Sequence, residues 1–343
     1  MLHGKAAFVF DATANQVLYA QNADTEMPMA SLTKMMTALV ALRDWHDEMS
    51  RPMTVPSDVK QIYGEVIYLQ PGEVYTFQQL LQAMLLDSAN DAAVAIAVNV
   101  AGSQAAFVDD MNQEAKLLGL TETHFANVHG LDAPDHYSSA HDLAILGAAA
   151  MTDPNFRQTV AMRQATIPWP VKNSVRQLNN INRLLDLFPG ATGIKTGYTT
   201  NAMNCVVGSA NANGHEIIAV VMGEGPYWVW RDESAFLSYG MQADQGVQAP
   251  TAPTLPMVVH ATAAMKAQEA AVLATGPTPT TGTGRGPWPL VAGVVAAGGL
   301  AAAVQRRRRA RRWRWKGWSR RPAGLPRAPR LEPIPHSRLA RHD

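Results

Sequence analysis

Apolar residues recur at helical spacing from Met35 to Leu42. Met35, Leu39 and Leu42 share one face, and Met36 and Val40 widen it, so this segment is predicted to be a helix running through a core. Ahead of it, Ala6 to Asp11 and Gln16 to Ala20 are short β-like runs around Ala12-Thr13-Ala14-Asn15, the pattern of a hairpin. Pro52 to Pro56 and Glu65 to Thr76 read as loop and short strands, with Gln70-Pro71-Gly72-Glu73 as the turn. Helical period returns in Phe77 to Leu86, in the alanine-rich run Ala92 to Val100, in a segment capped by Ser103 and ended at Gly119, and in Ser139 to Met151. From Arg163 the texture changes. Gln164 to Pro168, Met203 to Ala210 and Glu216 to Gly223 read as strands, the last two joined at Asn213-Gly214, and Arg231 to Met241 closes the body as a helix. Strands at both ends with helices between predict an α/β fold. Its mixed sheet joins the first and last segments and carries helices on both faces.

Beyond this body the pattern dissolves. Residues 1–247 are expected to form one domain, 248–287 a linker rich in Pro, Thr, Gly and Ala, and 305–343 a basic, disordered tail. Between them, 288–304 is 17 residues without a charge, at the lower limit for a single spanning helix, with Trp288, Trp313, Trp315 and Trp318 placed as interfacial anchors. The net charge of +1 conceals a division. Thirteen arginines and Lys316 against two acidic residues give +12 beyond Val304, which leaves 15 basic and 26 acidic residues, or −11, for the rest. A membrane is therefore the expected partner, with the arginines on the cytoplasmic side and the body outside. The tail has the charge to bind nucleic acid but nothing to read bases, so no nucleic-acid partner is expected. Only Met1-Leu2-His3-Gly4 precede the first strand-like run. An external body is then expected to depend on an upstream start or an unconventional route. One cysteine, Cys205, excludes an internal disulfide and a cysteine-based zinc site.

Candidate chemistry begins just before the Met35 helix. In Ser31-Leu32-Thr33-Lys34 the serine and lysine lie three apart, so on a helix the amine reaches the hydroxyl. Burial would lower the lysine's pKa and leave a neutral base beside a nucleophile at a helix N-terminus. Spacing alone does not decide. The motif is expected about once by chance in such a chain, and Ser57-Asp58-Val59-Lys60 repeats it after Pro56, where it reads as a helix cap. Two further motifs supply company. Ser88-Ala89-Asn90 offers a hydroxyl and an amide between helices, and Lys195-Thr196-Gly197 comes just before the late strand region. Ser209-Ala210-Asn211 imitates the former, but it reads as the end of a strand entering a hairpin turn.

Ser31-x-x-Lys34, Ser88-x-Asn90 and Lys195-Thr196-Gly197 are, in order, the motif set of serine penicillin-binding proteins and β-lactamases. With Ser88-Ala-Asn-Asp-Ala-Ala, Asn127-Val-His-Gly-Leu, His136-Tyr-Ser-Ser-Ala-His-Asp-Leu-Ala, Asn182-Arg183-Leu184 and Gly193-Ile-Lys-Thr-Gly-Tyr-Thr, the chain closely resembles low-molecular-mass D-alanyl-D-alanine carboxypeptidases of peptidase family S11, over roughly Ala6 to Tyr239. The resemblance implies a three-layer sandwich of the β-lactamase/transpeptidase type, its mostly antiparallel sheet covered by helices on both faces. It implies that Ser31 attacks the carbonyl between the terminal D-alanines of a peptidoglycan stem peptide, with Lys34 as general base. Ser88 and Asn90 would hold the lysine network, Lys195, Thr196 and Gly197 would bind the terminal carboxylate, and the backbone N–H groups of Ser31 and Tyr198 would hold the oxyanion. β-Lactams would acylate the same serine. No cofactor or metal is implied, and His129, His136 and His141 read as structural.

Three rival readings share the motifs, among them a transpeptidase, which would need an acceptor-strand site and usually carries extra domains. A class A β-lactamase adds Glu-x-x-Leu-Asn, but the Leu178-Asn179 pair has Val175 where the glutamate would stand. A catalytically silent cell-wall binding protein is the non-enzyme alternative, against which intact Ser31, Lys34 and Lys195 argue. The β-rich second domain common in this family is expected to be missing, since only the linker separates Tyr239 from Trp288.

Overall fold

Every residue of β1 (Ala6–Asp11) is buried, which an edge strand of this composition could not achieve. The computed structural model, which describes residues 3–243 apart from 213, places this strand inside a five-stranded sheet. β1 pairs on one side with β2 (Gln16–Gln21) and on the other with β9 (His215–Glu224), so the first and last strands meet as expected. β8 (Met203–Ala212) and β7 (Ala191–Thr199) complete the order β2-β1-β9-β8-β7. All four pairings are antiparallel, a correction to the mixed sheet. Parallel neighbours need a crossover helix between strands. Here the α-helices that cover the sheet's first face are inserted as one excursion between β2 and β7, and β7, β8 and β9 follow one another by turns.

Alternate residues of β1 and β9 feed two cores. Phe8, Phe10, Ile218, Val220 and Met222 face the main helical layer, whereas Ala7, Val9, Ile217, Ala219 and Val221 meet Phe236 and Leu237 of the closing helix. The helical layer contains α1 (Thr33–Trp45), α2 (Phe77–Leu86), α3 (Asn90–Ala101), α4 (Gln104–Leu117) and α5 (Ala140–Met151), with α5 against β1 and β9. α3 is buried on every side from Asn90 to Ala97, as an alanine-rich helix without a polar stripe must be. α2 starts at a reciprocal capping box between Thr76 and Gln79, a feature that stabilises a helix by about 1 kcal/mol. Ser103 and Ser139 cap α4 and α5 as their positions foretell.

Several elements lie where no strand or helix is expected from the pattern, among them α6 (Pro154–Ala161), β6 (Ser174–Asn179), α7 (Leu184–Leu187) and β7. α6 starts from Asp153, whose carboxylate accepts from the Asn155 and Phe156 N–H groups. β6 forms a separate hairpin with β5 (Gln164–Trp169). A second small hairpin joins β3 (Pro52–Thr54) to β4 (Val74–Thr76), and α7 leads into β7. α8 (Val229–Ala243) covers the opposite face of the sheet. Among the described residues no single helix is long and apolar enough to cross a membrane. The expected linker, spanning helix and basic tail fall on 248–343, outside the described residues, as does Asn213 of the expected turn.

Candidate active site

α1 is preceded by a 3-10 turn, Ala30–Leu32, which presents Ser31 two residues ahead of the helix's first residue, Thr33. Ala30 is held at φ +50°, a left-handed conformation that costs a non-glycine residue roughly 1–3 kcal/mol and recurs where a backbone is shaped for function. Its neighbours enforce it. Gly130, at φ +98°, packs so closely that a Cβ there would run into the Ala30 carbonyl and come within 2.8 Å of the Ser31 nitrogen. Gly197 of β7 approaches from the other side, and a Cβ there would lie 2.9 Å from that same nitrogen. Both glycines are required by close approach.

Three polar residues of α1 point into the layer. Lys34 is fully buried, and its Nζ lies 2.9 Å from Ser31 Oγ, 2.7 Å from Asn90 Oδ1 and 2.7 Å from the His129 carbonyl oxygen. Asn90 donates its Nδ2 to the Tyr63 carbonyl at 2.8 Å, which fixes its Oδ1 towards the lysine. Two of the three partners can only accept. A neutral amine has two N–H bonds for those acceptors and one lone pair, which is then left for the Ser31 O–H. Burial pushes the Lys34 pKa well below its ordinary value, and the nearby Lys195 cation pushes it further. Burial thus favours the base form of the lysine, and the geometry aims that form at the serine. Thr33 Oγ1 donates to the Ala30 carbonyl and meets His136 Nε2 at 2.8 Å, while Thr37 Oγ1 donates to the Val128 carbonyl at 2.7 Å. The Asn127-Val-His-Gly segment is thus laced to α1, and Asn127 Oδ1 holds its turn by accepting from the His129 and Gly130 N–H groups.

Across the cleft, Lys195 and Thr196 stand within β7 rather than before a strand, a correction to the expected placement. Lys195 is buried, and its Nζ donates to Ser88 Oγ at 3.1 Å and to the Thr196 carbonyl at 2.9 Å. Burial brings its pKa down to about 7. Ser88 sits at φ +61° in the short break before α3, whose first residue is Asn90. Ser31, Ser88, Thr196, Gly197 and Tyr198 line one cleft, with Tyr198 66 % exposed at its rim. All eight predicted site residues thus converge on one region.

The remaining candidates separate. Ser57 is the first residue of a 3-10 helix, Ser57–Gln61, not its cap, because Pro56 occupies the extended cap position. Ser209 lies buried in mid-strand on β8 and shares a hydrogen bond with Thr192, so it is not hairpin chemistry. Val175, where the β-lactamase glutamate would stand, is exposed on β6. Burial lowers His129 to about 3 and His136 to about 4, so both are neutral framing residues. His141 pairs with Asp24 at 2.9 Å. Sequence reasoning did not single out Glu65, which lines the cleft and whose charge raises the pKa of both lysines. It is positioned through its carbonyl, which accepts from the Asn90 N–H at 2.7 Å. No spacing signal marks it, because its role depends on the fold bringing residue 65 to residue 90.

The profile of peptidase family S11, described as D-alanyl-D-alanine carboxypeptidase, matches residues 1–225. The chain belongs to this family. Among S11 relatives it is 35 % identical over 224 residues to the D-alanyl-D-alanine carboxypeptidase DacF of Bacillus subtilis, covering 64 % of this chain and 57 % of DacF. With DacB2 of Mycobacterium tuberculosis it shares 38 % over 239 residues, 67 % of this chain and 79 % of DacB2. The chain thus spans little more than half of some curated S11 relatives. Solved structures agree on the fold. A point mutant of the Streptomyces K15 DD-transpeptidase superposes with a TM-score of 0.67 at 26 % identity, over 71 % of this chain and 99 % of that one. The D-alanyl-D-alanine carboxypeptidase of Mycobacterium tuberculosis H37Rv gives 0.67 at 32 %, over 74 % and 94 %.

Proposed function

We propose that this chain is a serine D-alanyl-D-alanine carboxypeptidase that removes the terminal D-alanine from peptidoglycan stem peptides through an acyl-enzyme on Ser31. One observation carries the reading: a buried Lys34 Nζ with two obligate acceptors at 2.7 Å, Asn90 Oδ1 and the His129 carbonyl, and the Ser31 hydroxyl as its third contact at 2.9 Å. Lys34 takes the Ser31 proton as Oγ bonds to the penultimate carbonyl carbon. The N–H groups of Ser31 and Tyr198 hold the oxygen that becomes negative, because fixed dipoles meet a developing charge without reorganising. The proton passes from Lys34, by way of Ser88, to the leaving amine, and D-alanine departs. Water then attacks the ester, with Lys34 again accepting a proton. Lys195 and Thr196, beside Gly197, receive the substrate's terminal carboxylate. β-Lactams, which present a strained amide to the same nucleophile, acylate Ser31.

For the region outside the described residues, the uncharged 288–304 segment with its flanking tryptophans and following arginines supports a single-pass anchor, its basic end cytoplasmic and the catalytic domain outside. The test is labelling of the chain with a fluorescent penicillin, wild type beside Ser31→Ala, together with assay of D-alanine released from a pentapeptide. Both signals are expected in wild type and neither in the variant. A folded wild type that neither labels nor releases D-alanine would establish the silent binding protein instead.

A further inference from the structure

Just ahead of β1, His3 meets the end of β9 and the first turn of α8. Its ring stacks on Trp228 with centroids 4.4 Å apart, and its Nδ1 lies 3.3 Å from Asp232 Oδ2. Glu224 closes the group: ligand-capable atoms of His3, Glu224 and Asp232 all lie within 4.8 Å of one another. Two of these side chains are carboxylates removed from water, Glu224 at 1 % exposure and Asp232 at 2 %. The two carboxylates face each other and the His3 ring across this small enclosed space.

The partners are divided in a telling way. Asp232 Oδ2 accepts from the His3 backbone N–H at 2.8 Å, and its Oδ1 faces the Arg231 guanidinium at 3.9 Å. Glu224 Oε1 accepts from the Gly225 N–H at 2.9 Å. Glu224 Oε2 is buried and receives no N–H or O–H among the described residues; the Glu224 carboxyl instead faces that of Asp232, and Oε2 lies towards the His3–Gly4 segment, where a Cβ on Gly4 would come within 3.3 Å of it. One imidazole nitrogen and two carboxylates are a common donor set for Zn²⁺ and similar divalent ions. At metal–ligand bonds of about 2.05 Å, tetrahedral geometry sets neighbouring donors about 3.3 Å apart, the separation found between His3 and Asp232.

We infer that His3, Asp232 and Glu224 form a site for one divalent transition-metal ion of the Zn²⁺ class, with a fourth position for water. Residues 3, 224 and 232 are too far apart in sequence for any ligand spacing to announce it. The strand register sets Glu224 opposite Asn204, and Asn204 opposite Tyr198, so the ion sits two strands, about 10 Å, from the end of β7 that borders the cleft. It ties the segment before β1 to the last strand and the last helix.

The test uses the untagged full chain, stripped with a chelator and titrated with Zn²⁺ against a chromophoric competitor, then with Co²⁺ to read its visible absorption. One equivalent of Zn²⁺ is expected, with Co²⁺ bands of four-coordinate nitrogen and oxygen ligation. Glu224→Gln, which preserves shape, is expected to weaken binding by at least about tenfold, as is His3→Ala, whose partly exposed ring leaves the core untouched. The proposal is overturned if wild type takes up no more Zn²⁺ than Glu224→Gln. It is equally overturned if Glu224→Gln raises the thermal midpoint of metal-free protein and no metal raises that of wild type, since a shared proton then holds the pair.

Discussion

Two segments of this chain have the same Ser-x-x-Lys spacing and both begin in a 3-10 turn, yet only one has the surroundings the proposed chemistry needs. Ser57 and Lys60 are exposed, and the Ser57 hydroxyl makes a long 3.5 Å contact with Asp58. Nothing desolvates Lys60, and nothing assigns its protons. Ser31 and Lys34 instead open a helix packed into the main core, where Asn90 and the His129 carbonyl occupy two directions of the amine and leave the third for the hydroxyl. The spacing supplies reach. Burial and obligate acceptors supply the chemistry.

The sharpest way to break this contrast is to remove each hydroxyl. Ser31→Ala is expected to abolish acylation by a fluorescent penicillin, and Ser57→Ala to leave it unchanged; labelling of the Ser31 variant would refute the assignment. Next come the lysines. Lys34→Met is expected to slow acylation by roughly 10²–10⁴-fold, the usual worth of a positioned general base, with Lys60→Met at wild-type rate by stopped-flow acylation. Gly130→Ala probes the enclosure, because the added methyl meets the Ala30 carbonyl and must displace the serine turn. A loss of at least about tenfold in acylation rate is expected, since small misplacements of reacting groups cost that much or more. A retained circular-dichroism spectrum would show that the site, not the fold, has moved.

Smaller effects concern pH. Lys195 in the free protein titrates at about 7, so it carries its charge below that value and loses it above. KM for a peptide acid is therefore expected to rise as pH increases through about 7, while a C-terminal amide analogue shows no such rise. Smallest is Glu65→Gln. Glu65 raises the pKa of Lys34, so removing its charge is expected to shift the acidic limb of kcat/KM to lower pH, by less than about one unit because the carboxylate is exposed and screened.

Much of the site was legible because its residues come in short motifs whose order survives folding. The boundaries of α2 follow from helical period and its cap, and the reach of Lys34 to Ser31 from helical spacing, whereas Ser88 and Asn90 were marked only by the ordered motif set. β7 was not legible. Gly193, Gly197 and a buried lysine weaken its strand signal, and only the fold explains the glycines: the serine turn packs against Gly197 and Val160 of α6 against Gly193. α6 was missed for a different reason. Its signal, Asp153 followed by Pro154, is a strong start, but Phe156 and Val160 are too few to show a period. The antiparallel order of the sheet depends on which strands meet, and Glu65 and His129 reach the site through backbone carbonyls that any side chain would carry.

The pairing of β1 with β9 sets a clock on biosynthesis. The first strand leaves the ribosome about two hundred residues before the partner that buries it, and Ser31 leaves well before the strand bearing Lys195. Contacts this distant in sequence form late and slowly. An incomplete chain can make its helices and its β1–β2 hairpin, but not the wall that closes the cleft. On the proposed mechanism, reactivity arrives with the last third of the domain, and a nascent chain stalled before β7 is expected to hold Ser31 without the site that would activate it.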